Sequence, residues 1–166
     1  MSREGITIRG AGRHDVPGIA DVARQTWTAT YAGIIPDDVQ RQLLESWYSA
    51  VALARAVESP GAFLVATQAG RVVGFAQFVW RPPESAELTR IYVLPERQHG
   101  GVGTMLLDAG FAACRKRGVG RVSVLVEWDN VIGRAFYRSR AFTEIGKRRQ
   151  EVVGYSLDLV ECHREI

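Results

Sequence analysis

Gln98-His99-Gly100-Gly101-Val102-Gly103-Thr104 follows directly on Glu87-Leu88-Thr89-Arg90-Ile91-Tyr92-Val93-Leu94-Pro95. The earlier stretch predicts a strand. Val102-Gly103-Thr104-Met105-Leu106-Leu107 predicts the start of a helix, and a glycine-rich turn joins the two. A helix N-terminus presents unpaired backbone N–H groups and a partial positive charge. Glycines let that backbone approach an anion without Cβ atoms in the way. The stretch therefore predicts a phosphate cradle made largely of main chain.

Two familiar cradles do not fit. The dinucleotide fingerprint needs a third glycine, but Leu106 stands at that position after Gly101 and Gly103. The Walker A loop ends in Gly-Lys-Ser/Thr, and no lysine lies between Val72 and Arg115. What fits is Gln/Arg-x-x-Gly-x-Gly/Ala, read as Gln98-x-x-Gly101-x-Gly103. A second segment points the same way. Val124-Leu125-Val126-Glu127-Trp128-Asp129-Asn130 reads as a strand ending in a polar corner. Val131-Ile132-Gly133-Arg134-Ala135-Phe136-Tyr137-Arg138 follows, and then Ala141-Phe142. Asn130 and Tyr137 are seven residues apart and share one face of a helix.

Together, from about Glu87 to Phe142, these segments resemble the two signatures of the GNAT superfamily of acyl-CoA-dependent N-acyltransferases. Two positions depart from the pattern. Gly133 stands where a small Ala is common, which weakens the helix by about 1 kcal/mol. Ala141 stands where a Gly precedes the Phe, and it carries strain if that position needs φ > 0.

The resemblance implies an α/β (α+β) fold with a mixed, mostly antiparallel sheet of six to seven strands. Helices cover both faces, and the fourth and fifth strands splay apart around the cofactor. Here those strands are Ala86–Val93 and Val122–Val126. Splayed strands leave backbone groups unpaired, and the amide-bearing pantetheine arm of acetyl-CoA supplies partners. Ile91, Tyr92 and Val93 are thus expected to bind cofactor through main chain. Gln98, His99, Gly100, Gly101, Val102, Gly103 and Thr104 are expected to hold the phosphates. Asn130 is expected to bond the pantetheine arm, to cap the next helix, or both.

The implied chemistry is direct attack of an amine on the thioester, with no covalent enzyme intermediate. A lysine-like amine, of pKa about 10.4, must first lose a proton. Tyr137 is the implied acid for the leaving thiolate and the Val93 N–H the implied oxyanion donor. Glu87, eleven residues before Gln98, is the leading base; Glu127 is the rival and Asp129 a third candidate. Trp27 and Tyr31, one helical turn apart, read either as core or as a wall against an amine acceptor. Trp80, Trp128 and Tyr155 are further candidates for that wall. The acceptor implied by the resemblance is a small-molecule or peptide amine. A non-catalytic acyl-CoA sensor is the alternative reading.

Composition agrees with this reading. The 166 residues are 46% hydrophobic and 23% charged, with net charge +3, which predicts one soluble domain over residues 1–166. The pI of 9.1 suits an anionic cofactor and is too mild to predict nucleic-acid binding. Arg115-Lys116-Arg117 and Lys147-Arg148-Arg149 read as solvated runs. Cys114 and Cys162 show no metal-ligand spacing and read as reduced core residues; no metal is expected. No apolar leader and no run of about 18 apolar residues is present, so a cytoplasmic protein without a membrane span is expected. Strands near the C-terminus would serve a homodimer if subunits pair.

Strands are predicted at Ile6–Arg9, Ala62–Thr67, Val72–Val79, Ala86–Val93, Val122–Val126, Phe142–Ile145 and Val152–Val160. Helices are predicted at about Asp15–Tyr31, Asp37–Glu58 (in one or two pieces), Gly101–Arg117 and Val131–Ser139.

Overall fold

The computed structural model describes residues 5–166. The chain runs β1 (Ile6–Gly10), α1 (Val16–Tyr31), α2 (Asp37–Trp47), α3 (Ala50–Glu58), β2 (Gly61–Gln68), β3 (Arg71–Arg81) and β4 (Ser85–Val93). It continues through α4 (Val102–Lys116), β5 (Arg121–Glu127), α5 (Val131–Arg138), β6 (Thr143–Val152) and β7 (Tyr155–Glu165). The seven strands form one sheet in the order β1-β2-β3-β4-β5-β7-β6. Every neighbouring pair is antiparallel except β4–β5, which is parallel. The mixed sheet expected from the resemblance is therefore present, with seven strands.

Local chemistry explains the helix boundaries. Ser49 splits the predicted Asp37–Glu58 helix, because its Oγ accepts the Ala52 N–H at 3.2 Å and starts α3 anew. Before α1, buried Asp15 accepts from Gly12 N at 2.8 Å and from both Nη atoms of Arg9 at 2.7 and 2.8 Å. That fork holds its carboxyl below the usual aspartate range.

The sheet buries both faces. On one, Phe75 packs with Tyr48 and Tyr92 beneath α1 and α2. On the other, Phe78 meets Phe111 of α4 edge to face. Cys114 and Cys162 are free and buried, as expected. No described helix is long and apolar enough to cross a membrane.

The C-terminal strands correct the sequence reading. Thr143–Val152 is one strand, nine of whose ten residues are exposed, so no alternation marks it. Val152 ends β6 rather than opening β7, and Val153-Gly154 forms the turn with φ of 44° and 75°. The solvated runs also gain detail. Arg148 pairs with Glu161 at 3.0 Å and Arg149 with Asp158 at 2.9 Å across the β6–β7 hairpin.

Ala141 follows α5 with φ 60°, so the departure noted above does carry left-handed strain. Ala141→Gly is expected to stabilise the protein by about 0.5–1 kcal/mol. The check is a higher urea midpoint at unchanged m-value.

Candidate active site

The site begins with a bulge. β3 pairs Gln77 with Arg90 and Phe78 with Leu88, leaving Thr89 as the extra residue of β4. The Thr89 hydroxyl lies 3.3 Å from Gln77 O and 3.2 Å from its Oε1. A bulge bends its strand, and β4–β5 pairing stops there, at Leu88↔Val124. β4 stays paired to β3 as far as Val93, and β5 to β7 as far as Glu127. Each strand is thus held by its outer neighbour while the inner edges diverge. Leu94 N donates to Val73 O at 2.9 Å. Strand alternation then turns the amides of Ile91 and Val93 away from β3, into the gap.

The glycine loop closes the wide end of this wedge. His99 and Gly101 adopt φ of 63° and 82°, and such left-handed steps turn successive N–H groups toward one point. Met105 N→Gly101 O is the first bond of α4, so Val102, Gly103 and Thr104 N–H have no intrahelical partner. This donor set fits a diphosphate. Gln98 plays a different part from the loop amides: its Nε2 donates to Val93 O at 3.1 Å and ties the loop to the end of β4. Gly103 packs close to α5, where an added Cβ would stand 3.1 Å from the Phe136 ring.

Asn130 caps α5, its Oδ1 accepting Gly133 N–H at 2.9 Å. An added Cβ at Gly133 would lie 2.5 Å from Asn130 Nδ2, so glycine here lets the cap fold over. α5 carries Tyr137 into the interior, edge-on to Phe142 with ring centres 5.4 Å apart. Its hydroxyl makes no hydrogen bond among the described residues. Burial holds the phenol well above its ordinary pKa.

Tyr137 is close enough to Tyr31 and Tyr92 that its ionised form opposes theirs. The Tyr31 and Tyr92 hydroxyls stand 3.4 Å apart. The charge of Glu127 also bears on Tyr31. Glu127 Oε2 accepts the Asp129 and Asn130 N–H groups at 2.6 and 3.0 Å. Burial nonetheless raises its carboxyl above the ordinary glutamate value. Tyr92 near the end of β4 and Glu127 at the end of β5 thus stand on the two strands that part, with Tyr31 beside Tyr92.

Glu87 is placed differently. It lies below the bulge, in the part of β4 paired on both sides. Its carboxylate is engaged by Arg81 Nη2 at 2.7 Å.

Trp27 is core, 3% exposed, and packs on Tyr31 and Tyr92 with ring centres 4.7 and 6.4 Å away. Tyr31 is half-buried at the edge of that cluster. Trp80 and Tyr155 pack against the core, and Trp128 lies between Arg134 and Lys147, 4.3 and 4.2 Å from its ring centre. Two residues of the wall were not anticipated. Tyr48 joins the cluster, and Arg90 lies 4.8 Å over its ring and donates to Trp47 O at 3.3 Å. No sequence motif marked Tyr48 for this wall, and only the Thr89 bulge turns Arg90 to this face.

A groove of 930 Å³ between α1 and α2, lined by residues including Thr28 and Leu44 and sharing Tyr48 with this wall, contains none of the glycine loop.

Known proteins share this architecture. The model of the Acetyltransferase (GNAT) family matches residues 20–142. The spermidine N(1)-acetyltransferase of Thermoplasma acidophilum is 28% identical over 142 residues, covering 82% of this chain and 88% of that protein. The uncharacterised N-acetyltransferase YuaI of Bacillus subtilis is 30% identical over 156 residues, covering 92% and 88%. Among solved structures, PaiA N-acetyltransferase from Thermoplasma acidophilum in complex with coenzyme A superposes with a TM-score of 0.83 at 25% identity, over 97% of this chain and 99% of that one. A glycine cradle at the end of a splayed strand pair, within a matched family model and over most of the length of these relatives, has one reading: the chain belongs to the GNAT acetyltransferase family.

Proposed function

We propose that this acetyltransferase acetylates a small primary amine, with Glu127 as base and Tyr137 as acid. The observation that carries the reading is that Tyr92 and Glu127 lie on β4 and β5 beyond the point where the strands part, with Tyr31 beside Tyr92 and Tyr137 on the helix that follows β5. The spermidine acetyltransferase relative supports an amine acceptor. The half-buried Tyr31 and Tyr92, backed by the core residue Trp27, offer such a cation an aromatic wall.

Bound acetyl-CoA supplies the activated acetyl group as a thioester. The loop amides and the helix end of α4 neutralise its diphosphate, and the wedge amides of Ile91 and Val93 align its pantetheine arm. The Val93 N–H would also serve as donor to the carbonyl oxygen as charge develops there. Glu127 takes one proton from the ammonium and passes it to solvent, which frees the nitrogen lone pair. The new N–C bond then forms as the C–S bond breaks. Tyr137 gives its proton to the departing sulfur, and the second nitrogen proton restores the phenol.

Screening amines for thiol release from acetyl-CoA tests the activity. Release with no amine in a broad panel, from folded protein that binds acetyl-CoA, would favour the non-catalytic sensor. Tyr137→Phe is expected to lower kcat by about 10²-fold while the KM for acetyl-CoA changes little. Full turnover in that variant would remove Tyr137 from the chemistry.

A further inference from the structure

Arg140 follows α5 by two residues and turns back onto the first turn of α4. Its Nε and Nη2 donate to Thr104 Oγ1 at 3.1 and 2.6 Å, and its Nη1 donates to Phe136 O at 3.1 Å and Ser139 Oγ at 2.8 Å. The guanidinium carbon lies over Phe136, 3.8 Å from the ring centre. Gly103 packs on that same ring. The cation is thereby fixed beside the helix end that forms the cradle.

Three features make this an unfavourable place for a positive charge. A cation at a helix N-terminus opposes the helix dipole. Partial burial strips water from it. No carboxylate of the described residues lies within ion-pair distance, and exposed Asp108 on α4 acts only from farther away. Arg9, Arg13, Arg81, Arg121, Arg134, Arg148 and Arg149 each have a carboxylate partner. Positions that break a local rule without internal compensation mark functional sites.

We propose that Arg140 is a phosphate-binding residue of the acyl-CoA site, adding a fixed cation to a cradle otherwise made of main chain. The proposal rests on the acyl-CoA reading of that cradle. Four of the guanidinium's contacts lock its orientation and leave an Nη2 N–H free, because guanidinium has five donors. Arg140 also occupies the lone pairs of Thr104 Oγ1, which leaves the Thr104 O–H as a donor for another acceptor. One side chain thus supplies a charge and orients a second donor.

Calorimetry with CoA, dephospho-CoA and pantetheine tests this on the wild type and Arg140→Gln. The variant is expected to bind CoA about 10- to 100-fold more weakly and pantetheine as before. With acetyl-CoA its KM rises while kcat at saturation holds. A loss that disappears with dephospho-CoA assigns the contact to the 3′-phosphate; a loss that persists assigns it to the diphosphate. Unchanged CoA binding, or an equal loss for pantetheine, overturns the proposal and leaves Arg140 a packing residue. If R140Q does not fold, Arg140→Lys keeps the charge without the planar fork and is judged by the same criterion: its loss must be confined to the phosphate-bearing ligands. Wild type that binds none of the three would refute the acyl-CoA reading itself.

Discussion

Glu127→Gln is expected to lower kcat/KM for the amine by about 10²- to 10³-fold at neutral pH, the range for loss of a positioned general base. The substitution is nearly isosteric. A glutamine oxygen can still accept the Asp129 and Asn130 N–H groups that now hold Oε2, so the corner before α5 should keep its shape. What is lost is proton acceptance. An amine of pKa about 10.4 is almost wholly protonated at pH 7, and the variant would depend on the small free fraction. The gap between wild type and E127Q should therefore narrow as pH rises toward the amine pKa. The wild-type profile should also carry an acidic limb, set by a carboxyl that burial raises above the ordinary glutamate value, and E127Q should lack it.

Stability should move the other way. A carboxyl raised in the folded state favours folding fully only below its unfolded pKa, and that contribution is lost as pH rises through the folded value. At neutral pH the ionised Glu127 thus weakens the fold, and E127Q should be at least as stable as wild type. An active E127Q that keeps the wild-type acidic limb would clear Glu127. If Glu87→Gln then abolished the acidic limb, the base would be Glu87 acting across its ion pair with Arg81.

The glycine cradle was legible because its chemistry is main-chain chemistry. Gly101 and Gly103 announce themselves by residue type, and the strand before them and the helix after them follow from pattern. The splay was legible only through family resemblance. Its physical cause, the bulge at Thr89, has no mark in a run of ordinary strand formers. The same bulge sets which side chains of β4 face the aromatic cluster. Spacing alone therefore could not rank Glu87 against Glu127. Arg140 was passed over because a lone arginine after a helix reads as solvated, and only the fold brings it to Thr104. The β6–β7 hairpin was misread for a related reason. Val153, a β-branched residue, takes the turn position where sequence rules expect Asn or Gly.

Gly61→Ala is expected to destabilise the protein by about 3–5 kcal/mol, from backbone strain together with overpacking. Gly61 opens β2 at φ 155°, a region open essentially to glycine alone. It pairs with Val79, and an added Cβ would stand 2.1 Å from the carbonyl oxygen of Phe78. That oxygen belongs to the backbone of a central strand, so no side-chain rotation relieves the clash. Phe78 itself is wholly buried against Phe111, ring centres 6.2 Å apart, so β3 cannot retreat without disturbing the α4 face. The displacement would also run along β3 toward the Gln77–Phe78 bulge that opens the wedge. Gly70→Ala is the matched comparison. Gly70 has φ 76°, yet an added Cβ there meets nothing within 4 Å, so only the left-handed strain of about 1 kcal/mol applies. At about 3 °C per kcal/mol for a chain of this size, G61A should melt about 10–15 °C lower and G70A only about 3 °C lower. Equal shifts would mean that strain alone is felt at both positions and that β2 and β3 yield at Phe78, which would also weaken the case for a rigid β3 as the frame that holds β4 away from β5.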